Sequence, residues 1–530
     1  MSETDDTMLF AKDLEHLPAD TRAHINRIVY EHGRLVAENS LMAEEIRLLR
    51  AKRFAPSSEK GIYITGQQLL FNEAEHLARK GLPEPLTGEV SAPRRKKRAG
   101  KRAQDLSGLD RRRIDYEVDP DERICPQCSG RLHEIDVDIR LELEYIPASY
   151  TVIEHATHVY GCRHCQTHAE ATPIINALSP KALFRGSLAS ASLLAQVITD
   201  KYHYHLPLYR QESAFATDGL GLSRQTLANW VIQASEQWLG PIYERMKARL
   251  VQGSLVMADE TTVQVLREDM RRAQNKSYMW LYRTGSDAGH PLILYEYKPS
   301  RSHECPKKFL KGFSGYLQVD GYQAYRLLGP DIDVACCWAH ARRAFEEAYE
   351  VIDEARRAGS VPGRGLGLIN TLFAYDKQFA DMSAPERKSA RDDISLPVAA
   401  ELFEWAEGVT SVLPKSKAGK AIAYILNIKP YLLKVFDDGR LELSNNRSER
   451  SIKPFVIGRK NWLFSNTPRG AEASATVFSI VETAKENGLR VYDYLNYLFE
   501  RLPNTTTSQI DAVMPWSDSL PDHVKVPTAY

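Results

Sequence analysis

The chain has 530 residues, 43% of them hydrophobic and 26% charged, with 69 basic residues balanced by 69 acidic ones. That length implies several domains, and a formal net charge of zero excludes a global basic field as the basis of any nucleic-acid binding. Seven cysteines, four of them in two Cys-x-x-Cys pairs, exclude a secreted disulfide framework; no signal peptide opens the chain, and no uncharged apolar run approaches the ~20 residues of a membrane span, so a soluble cytoplasmic protein is expected.

Residues 1–60 read as a helix with a coiled-coil seam. Ile25, His32, Asn39 and Ile46 recur every seven residues, and Ile28, Leu35, Met42 and Leu49 follow three positions later. These are a and d positions, with Asn39 as a polar register-setter, so self-association is expected; the bland alternative is an amphipathic helix packed on its own domain. Residues 61–118 read as a linker. Pro83, Pro85 and Pro93 break any helix, and Arg94-Arg-Lys-Lys-Arg98, Lys101-Arg102 and Arg111-Arg112-Arg113 form a basic tract, either solvated or able to neutralise phosphates.

Residues 119–172 hold Cys125-Pro-Gln-Cys128 and Cys162-Arg-His-Cys165. Two such knuckles predict a closed, structural Zn²⁺ site of the ribbon type, with Cys125, Cys128, Cys162 and Cys165 as ligands. The intervening residues 139–160 alternate like strands, through Leu141, Leu143, Tyr145, Val152 and Ile153. Within 185–245, a helix begins at Leu208, Asp218-Gly-Leu-Gly221 turns the chain, and Ser223 caps a second helix. This layout is that of a helix-turn-helix, with Arg224, Gln225 and Asn229 exposed for DNA contact; a plain helical hairpin in a core looks the same.

Residues 251–266 contain an apolar strand-like run that ends at Asp259, and residues 278–283 and 291–297 read as two further strands. Gly315-Tyr-Leu-Gln-Val-Asp320-Gly-Tyr322 repeats the pattern of a strand delivering an aspartate. Downstream lies Asn445-Asn-Arg-Ser-Glu449-Arg-Ser-Ile-Lys453-Pro454. Asn446 is expected to cap a helix that Pro454 ends, which would place Glu449, Arg450 and Lys453 within one turn. Taken alone, Glu449 reads first as part of a capping box, three residues after an Asn cap. Together, the three carboxylates of Asp259, Asp320 and Glu449 suit a pair of Mg²⁺ or Mn²⁺ ions about 3.5–4 Å apart, the arrangement that drives phosphodiester displacement. Arg450, Lys453, Arg459 and Lys460 crowd the candidate Glu and suit phosphate contacts.

From Leu9 to about Arg501 the chain resembles the large transposase of the IS-sixty-six insertion-sequence family, a DDE-type enzyme. The resemblance rests on Leu69-Leu-Phe-Asn-Glu-Ala-Glu75, the cysteine knuckles, Lys201-Tyr, Leu206-Pro-Leu-Tyr-Arg-Gln211, Ala258-Asp-Glu-Thr261, Asp320-Gly-Tyr322, Cys337-Trp-Ala-His-Ala-Arg-Arg343, Asn445-Asn-Arg-Ser-Glu-Arg450 and Gly458-Arg-Lys-Asn-Trp-Leu-Phe464. It implies a multidomain α/β protein. Its RNase H-like catalytic domain, residues 250–485, would carry the triad Asp259, Asp320 and Glu449, interrupted by a helical insertion at about 345–430. Residues 340–357 and 399–427 do read as helices, and 486–530 form a C-terminal segment in which the stretch after about 503 carries no usable motif. The resemblance also implies double-stranded DNA as substrate and two small accessory proteins encoded nearby. His340, Arg342 and Arg343 are either DNA contacts near the scissile phosphate or a solvated helix face. The rival functions are an RNase H-like nuclease that cuts without joining, a DNA-binding regulator with a decayed catalytic domain, and a zinc-containing scaffold.

Overall fold

A computed structural model describes residues 18–54, 149–161, 174–177, 181–352, 357 and 359–527. The basic tract and the four knuckle cysteines lie outside the described residues. The chain divides into two units, residues 83–180 and residues 1–82 with 181–530.

In the larger unit, the N-terminal helix α1 runs Ala19–Phe54. Its seam residues Ile28, Leu35, Met42 and Ile46 are all exposed. The side chain of Glu44 accepts the backbone N–H of Lys417 at 2.8 Å, which satisfies one open donor at the start of another helix. Within the smaller unit, β1 (Val159–Gly161) and β2 (Ile174–Asn176) pair antiparallel with Val159 opposite Asn176. Val152 and Ile153, expected on a strand, are exposed on irregular backbone.

Residues 190–251 of the larger unit form a helical block. α2 (Ala191–Ile198) starts where Ser190 accepts the N–H of Leu193, and widens into a π-turn at Thr199–His203. The expected hairpin follows as α3 (Leu208–Thr217) and α4 (Arg224–Ala234), with Ser223 capping through the N–H of Thr226 at 3.1 Å. A second π-turn leads into α5 (Gly240–Val251).

Five strands follow: β3 (Leu255–Gln264), β4 (Lys276–Thr284), β5 (Ile293–Lys298), β6 (Gly315–Val319) and β7 (Ile332–Cys336), with the short helix α6 (Glu304–Phe309) before β6. Their order in the sheet is β5-β4-β3-β6-β7, the first three antiparallel and the last two parallel to β3. Gly315 opens β6 because its φ of +140° lies outside the range of L side chains, and a Cβ there would meet the carbonyl of Ser254. The consecutive runs 279–283 of β4 and 293–295 of β5 are buried throughout, as in a sheet covered on both faces.

The insertion between β7 and the Glu449 helix is helical: α7 (Trp338–Glu350), α8 (Val361–Gln378), α9 (Ala384–Ala390), α10 (Leu396–Glu407) and α11 (Lys417–Leu433). The helix expected over 399–427 is two helices, the first ending at the C-cap Gly408 and the second starting where Ser416 accepts the N–H of Gly419. Arg391 locks this region through Asp376 at 2.9 Å and the Leu441 carbonyl at 2.8 Å.

α12 (Asn446–Trp462) carries Glu449 and does not end at Pro454. Arg283 donates to the Arg447 carbonyl at 3.3 Å, and the Tyr295 hydroxyl donates to the Ser451 carbonyl, so the sheet grips the helix just before the proline. α13 (Pro468–Glu486) then covers the edge strand β5. Ser479 and Thr483 accept the N–H groups of Tyr295 and Ile293 at 2.8 and 3.0 Å, removing donors that an open edge would expose. α14 (Val491–Arg501) packs back on α2. Among the described residues, no helix is long and apolar enough to cross a membrane.

Candidate active site

Asp259 does not end its strand. Thr261, Thr262 and Val263 are β-branched and keep β3 extended against β4 as far as Gln264. The parallel ladder with β6, however, stops at Met257–Gln318. The offset that pairs Leu255 with Tyr316 sets Asp259 level with Asp320, one strand spacing away, where that ladder has opened. Both aspartates accept from nearby backbone N–H groups. Asp259 accepts the N–H of Glu260 at 2.8 Å, and Asp320 accepts the N–H of Tyr322 at 2.9 Å. Between Asp320 and Tyr322 only glycine fits, because a Cβ at position 321 would meet the hydroxyl of Tyr424 on α11.

Glu449 enters from the first turn of α12. The residue before that helix is Asn445, not the expected cap Asn446, and its side chain does not cap. Asn445 Nδ2 instead donates to the carbonyl of Ala258 at 2.9 Å, pinning the helix start to β3 immediately before Asp259. Glu449 is 2% exposed, and both its carboxylate oxygens are buried without a hydrogen-bond partner. The capping-box reading therefore does not hold.

Electrostatics tie the three carboxylates together. Burial holds Asp259 well above the usual carboxylate range, and Glu260, Glu449 and Asp320 push the same way. Burial raises Glu449 to about 8, with Asp320 adding to the shift and Arg343 opposing it. His340 Nε2 lies 4.0 Å from Glu449 Oε1, and burial pushes this imidazole down to about 4. Among the described residues, no group of three His, Cys, Asp or Glu side chains stands close enough to hold a metal ion. The Glu449 oxygens nevertheless feel the charge of Asp320, and carboxylate oxygens are the hard donors that a hard divalent cation prefers.

The other expected residues divide into groups. His340 and Arg343 stand beside Glu449. Arg342 does not: it is buried, and bonds Asn370 at 2.7 Å and Glu346 at 3.1 Å, because one further residue turns it into the insertion. As a DNA contact Arg342 is thereby corrected to a packing residue. Arg450 and Lys460 are exposed on α12 and Lys453 is half-buried there, while Arg459 reaches back to Thr262 at 3.1 Å. Arg224, Gln225 and Asn229 are exposed on α4, away from this constellation.

Sequence reasoning missed the next shell. Glu260 is buried and receives Arg301 Nε at 2.8 Å and the Tyr325 hydroxyl at 2.5 Å. Burial and Asp320 raise its carboxyl to about 7, against the pull of Arg301. The Arg301 guanidinium also stacks on Tyr322 at 3.7 Å, and the Tyr322 hydroxyl donates to the Arg301 carbonyl at 2.9 Å. One arginine therefore clips the residue after Asp259 to the turn after Asp320. Its only sequence signal was the Glu beside Asp259, since Arg301 lies in a loop with no pattern of its own.

Residues 186–473 match the family described as "Transposase IS66 family", residues 122–166 the zinc-finger binding domain of transposase IS66, and residues 479–516 the IS66 C-terminal element. The second match spans all four knuckle cysteines, and the third extends into the stretch after about 503, where the sequence showed no usable motif. Two uncharacterized proteins of Sinorhizobium fredii, y4jD and y4qI, are each 31% identical to the chain over 421 residues. The alignments cover 76% of this chain in both cases, and 80% and 75% of those proteins.

Proposed function

The chain belongs to the IS66 transposase family, and from that premise we propose that it binds the ends of an insertion sequence and catalyses metal-dependent DNA cleavage and strand transfer at Asp259, Asp320 and Glu449. The observation that carries this reading is the orphaned, buried Glu449 carboxylate beside two aspartates level on neighbouring strands. The sheet order, three antiparallel strands then two parallel ones, supports an RNase H-like core.

In this reading Asp259, Asp320 and Glu449 hold Mg²⁺ or Mn²⁺, ions that supply charge neutralisation and activation of an attacking oxygen. The protein's own groups do the rest. Asn445 and Arg283 fix the helix bearing Glu449 against β3 and β4. His340 and Arg343 line its inner side. Arg450, Lys453, Arg459 and Lys460 neutralise DNA phosphates along α12. Water adds to phosphorus at the element end, the P–O3′ bond breaks, and the oxygen leaves as a 3′-hydroxyl. That hydroxyl then attacks a target phosphodiester and releases a new 3′-hydroxyl, with no covalent enzyme intermediate. The hairpin α3–α4 serves as a DNA-binding helix-turn-helix, presenting Arg224, Gln225 and Asn229. The regulator reading requires a lost carboxylate, and all three are present.

The test is strand cleavage on DNA carrying the element's own ends, with and without Mg²⁺ or Mn²⁺. Metal-dependent nicking at the ends is expected; end-binding without nicking, even with the accessory proteins added, would favour the regulator.

Two regions carry separate expectations. Cys125→Ser is expected to lose Zn²⁺ and end-binding together, as measured by metal analysis and gel shift. A folded, metal-free variant that binds normally would remove Cys125, Cys128, Cys162 and Cys165 as a structural site. Deleting residues 1–54 is expected to lower the mass in solution by light scattering, because the exposed α1 seam suits a second copy of itself. An unchanged mass would place self-association elsewhere.

A further inference from the structure

Lys201 sits in the π-turn at the end of α2, packed against the C-terminal end of α12. Its amine lies 5.3 Å from the ring centre of Trp462 and 5.4 Å from that of Tyr202. Among the described residues no carboxylate pairs with it, and the neighbouring Asp200 turns to Gln196 at 2.8 Å instead. Burial pushes the amine down to about 8, with no opposing charge to restore it. Ring faces offset only part of the cost of desolvating an ammonium group.

The surroundings repeat the pattern. His203 and His205 each keep a buried Nδ1 without a hydrogen-bond partner. His205 adopts a φ of +59°, and its carbonyl is held by Asn461 Nδ2 at 3.0 Å. The turn is thus joined to α12 in a strained conformation that leaves basic groups unpaired, a form that persists only where the surroundings enforce it. Lys485 is close enough to push both imidazoles further down, although Glu482 engages its amine at 2.9 Å.

The position relative to the carboxylates gives this cluster a direction. Arg450, Lys453, Ile457 and Lys460 recur at helical spacing on one face of α12, and Asn461 carries that face onto the Lys201 turn. Thirteen helical residues separate Glu449 from Trp462, a rise of about 20 Å. At about 3.4 Å per base step, that is the length of roughly six base pairs of duplex.

We propose that the Lys201 turn is an anion site for a DNA backbone phosphodiester, engaged where the duplex has run about 20 Å along α12 from the carboxylate cluster. The phosphate supplies the counter-charge that the protein lacks there. This rests on the transposase reading, since it takes DNA as the ligand. It adds a contact on the helical block that none of the family's matched descriptions assigns. A lysine retained only for packing would be better served by an apolar side chain of similar length.

The experiment compares wild type with Lys201→Met and Lys201→Arg, using a fluorescent 40-base-pair duplex titrated at several salt concentrations. Lys201→Met is expected to weaken binding several-fold and to reduce the slope of log K against log salt by about 0.9, the share of one phosphate contact. Lys201→Arg should keep the slope. The melting temperature of Lys201→Met should equal or exceed that of wild type, because a half-buried charge without a carboxylate partner among the described residues has been removed. An unchanged slope in Lys201→Met, with wild type binding normally, overturns the site but not the transposase reading. No duplex binding by wild type overturns both. Stabilisation of wild type alone by inorganic phosphate, with an unchanged DNA slope, would show a small-anion site and also overturn the proposal.

Discussion

Glu449→Gln is expected to abolish strand cleavage while leaving DNA binding intact. The substitution keeps the shape of a side chain that is 2% exposed and removes only its ability to carry charge. If Glu449 completes a divalent-cation site, its loss removes several kcal/mol of charge stabilisation, which at 1.36 kcal/mol per decade is about a thousandfold or more in rate. Asp259→Asn and Asp320→Asn should fall in the same range, and combining them should add little, since the three act as one unit. A second readout does not involve turnover. Mn²⁺ should raise the melting temperature of wild type by preferential binding to the folded state, and should not raise that of Glu449→Gln. In the absence of metal the variant should be at least as stable as wild type, because an amide is easier to bury than an unpartnered carboxylate. Surviving cleavage would move the third ligand. The nearby alternatives are poor ones, for Glu442 is committed to Arg447 at 2.7 Å and Glu472 is exposed on α13.

How much of this was legible in the sequence depends on how local each cause is. The two aspartates were legible because a β-branched, apolar run followed by an acid is a local pattern, and the hairpin of α3 and α4 because Ser223 and the Gly219 turn are local signals. The end of β3 was misplaced because the strand's length is set by pairing with β4, which no short window contains. Pro454 was read as a terminator because its cost is intrinsic. What overrides it is tertiary: Arg283 and Tyr295 reach across from the sheet to hold the preceding turn. Asn446 and Asn445 are indistinguishable as caps by type, and the structure uses Asn445 for Ala258 instead. Glu449 was ambiguous at the level of residues, and the lack of a hydrogen-bond partner for its oxygens among the described residues sets the cap aside. Arg342 and Arg343 look equivalent in sequence, yet one turn of the helix face commits the first to Asn370 and leaves the second beside Glu449.

Arg301→Met is expected to be the most disruptive single change outside the carboxylates themselves. Glu260 is 3% exposed, and Arg301 is its only cationic partner among the described residues. Removing Arg301 takes away the charge that holds the Glu260 carboxyl down to about 7, so the carboxyl must take up a proton to stay buried, at a cost of up to about 3 kcal/mol. Arg301 is itself partly exposed, which places the effect at the lower end of that range. The double variant Glu260→Gln with Arg301→Met should recover most of the lost stability, since the glutamine can still meet the Tyr325 hydroxyl. Cleavage should behave differently from stability. Arg301 stacks on Tyr322, whose N–H holds Asp320, while Glu260 follows Asp259 directly on β3. The pair therefore sets how far apart the two aspartates stand. In the double variant, stability should return but Mn²⁺ should bind several-fold more weakly, and cleavage should need more metal to reach half its maximum. Arg301→Lys keeps the charge without the planar stack, and should fall between wild type and Arg301→Met in both measurements. If the double variant regained full metal affinity along with its stability, Glu260 and Arg301 would be a packing pair with no hand in spacing Asp259 and Asp320.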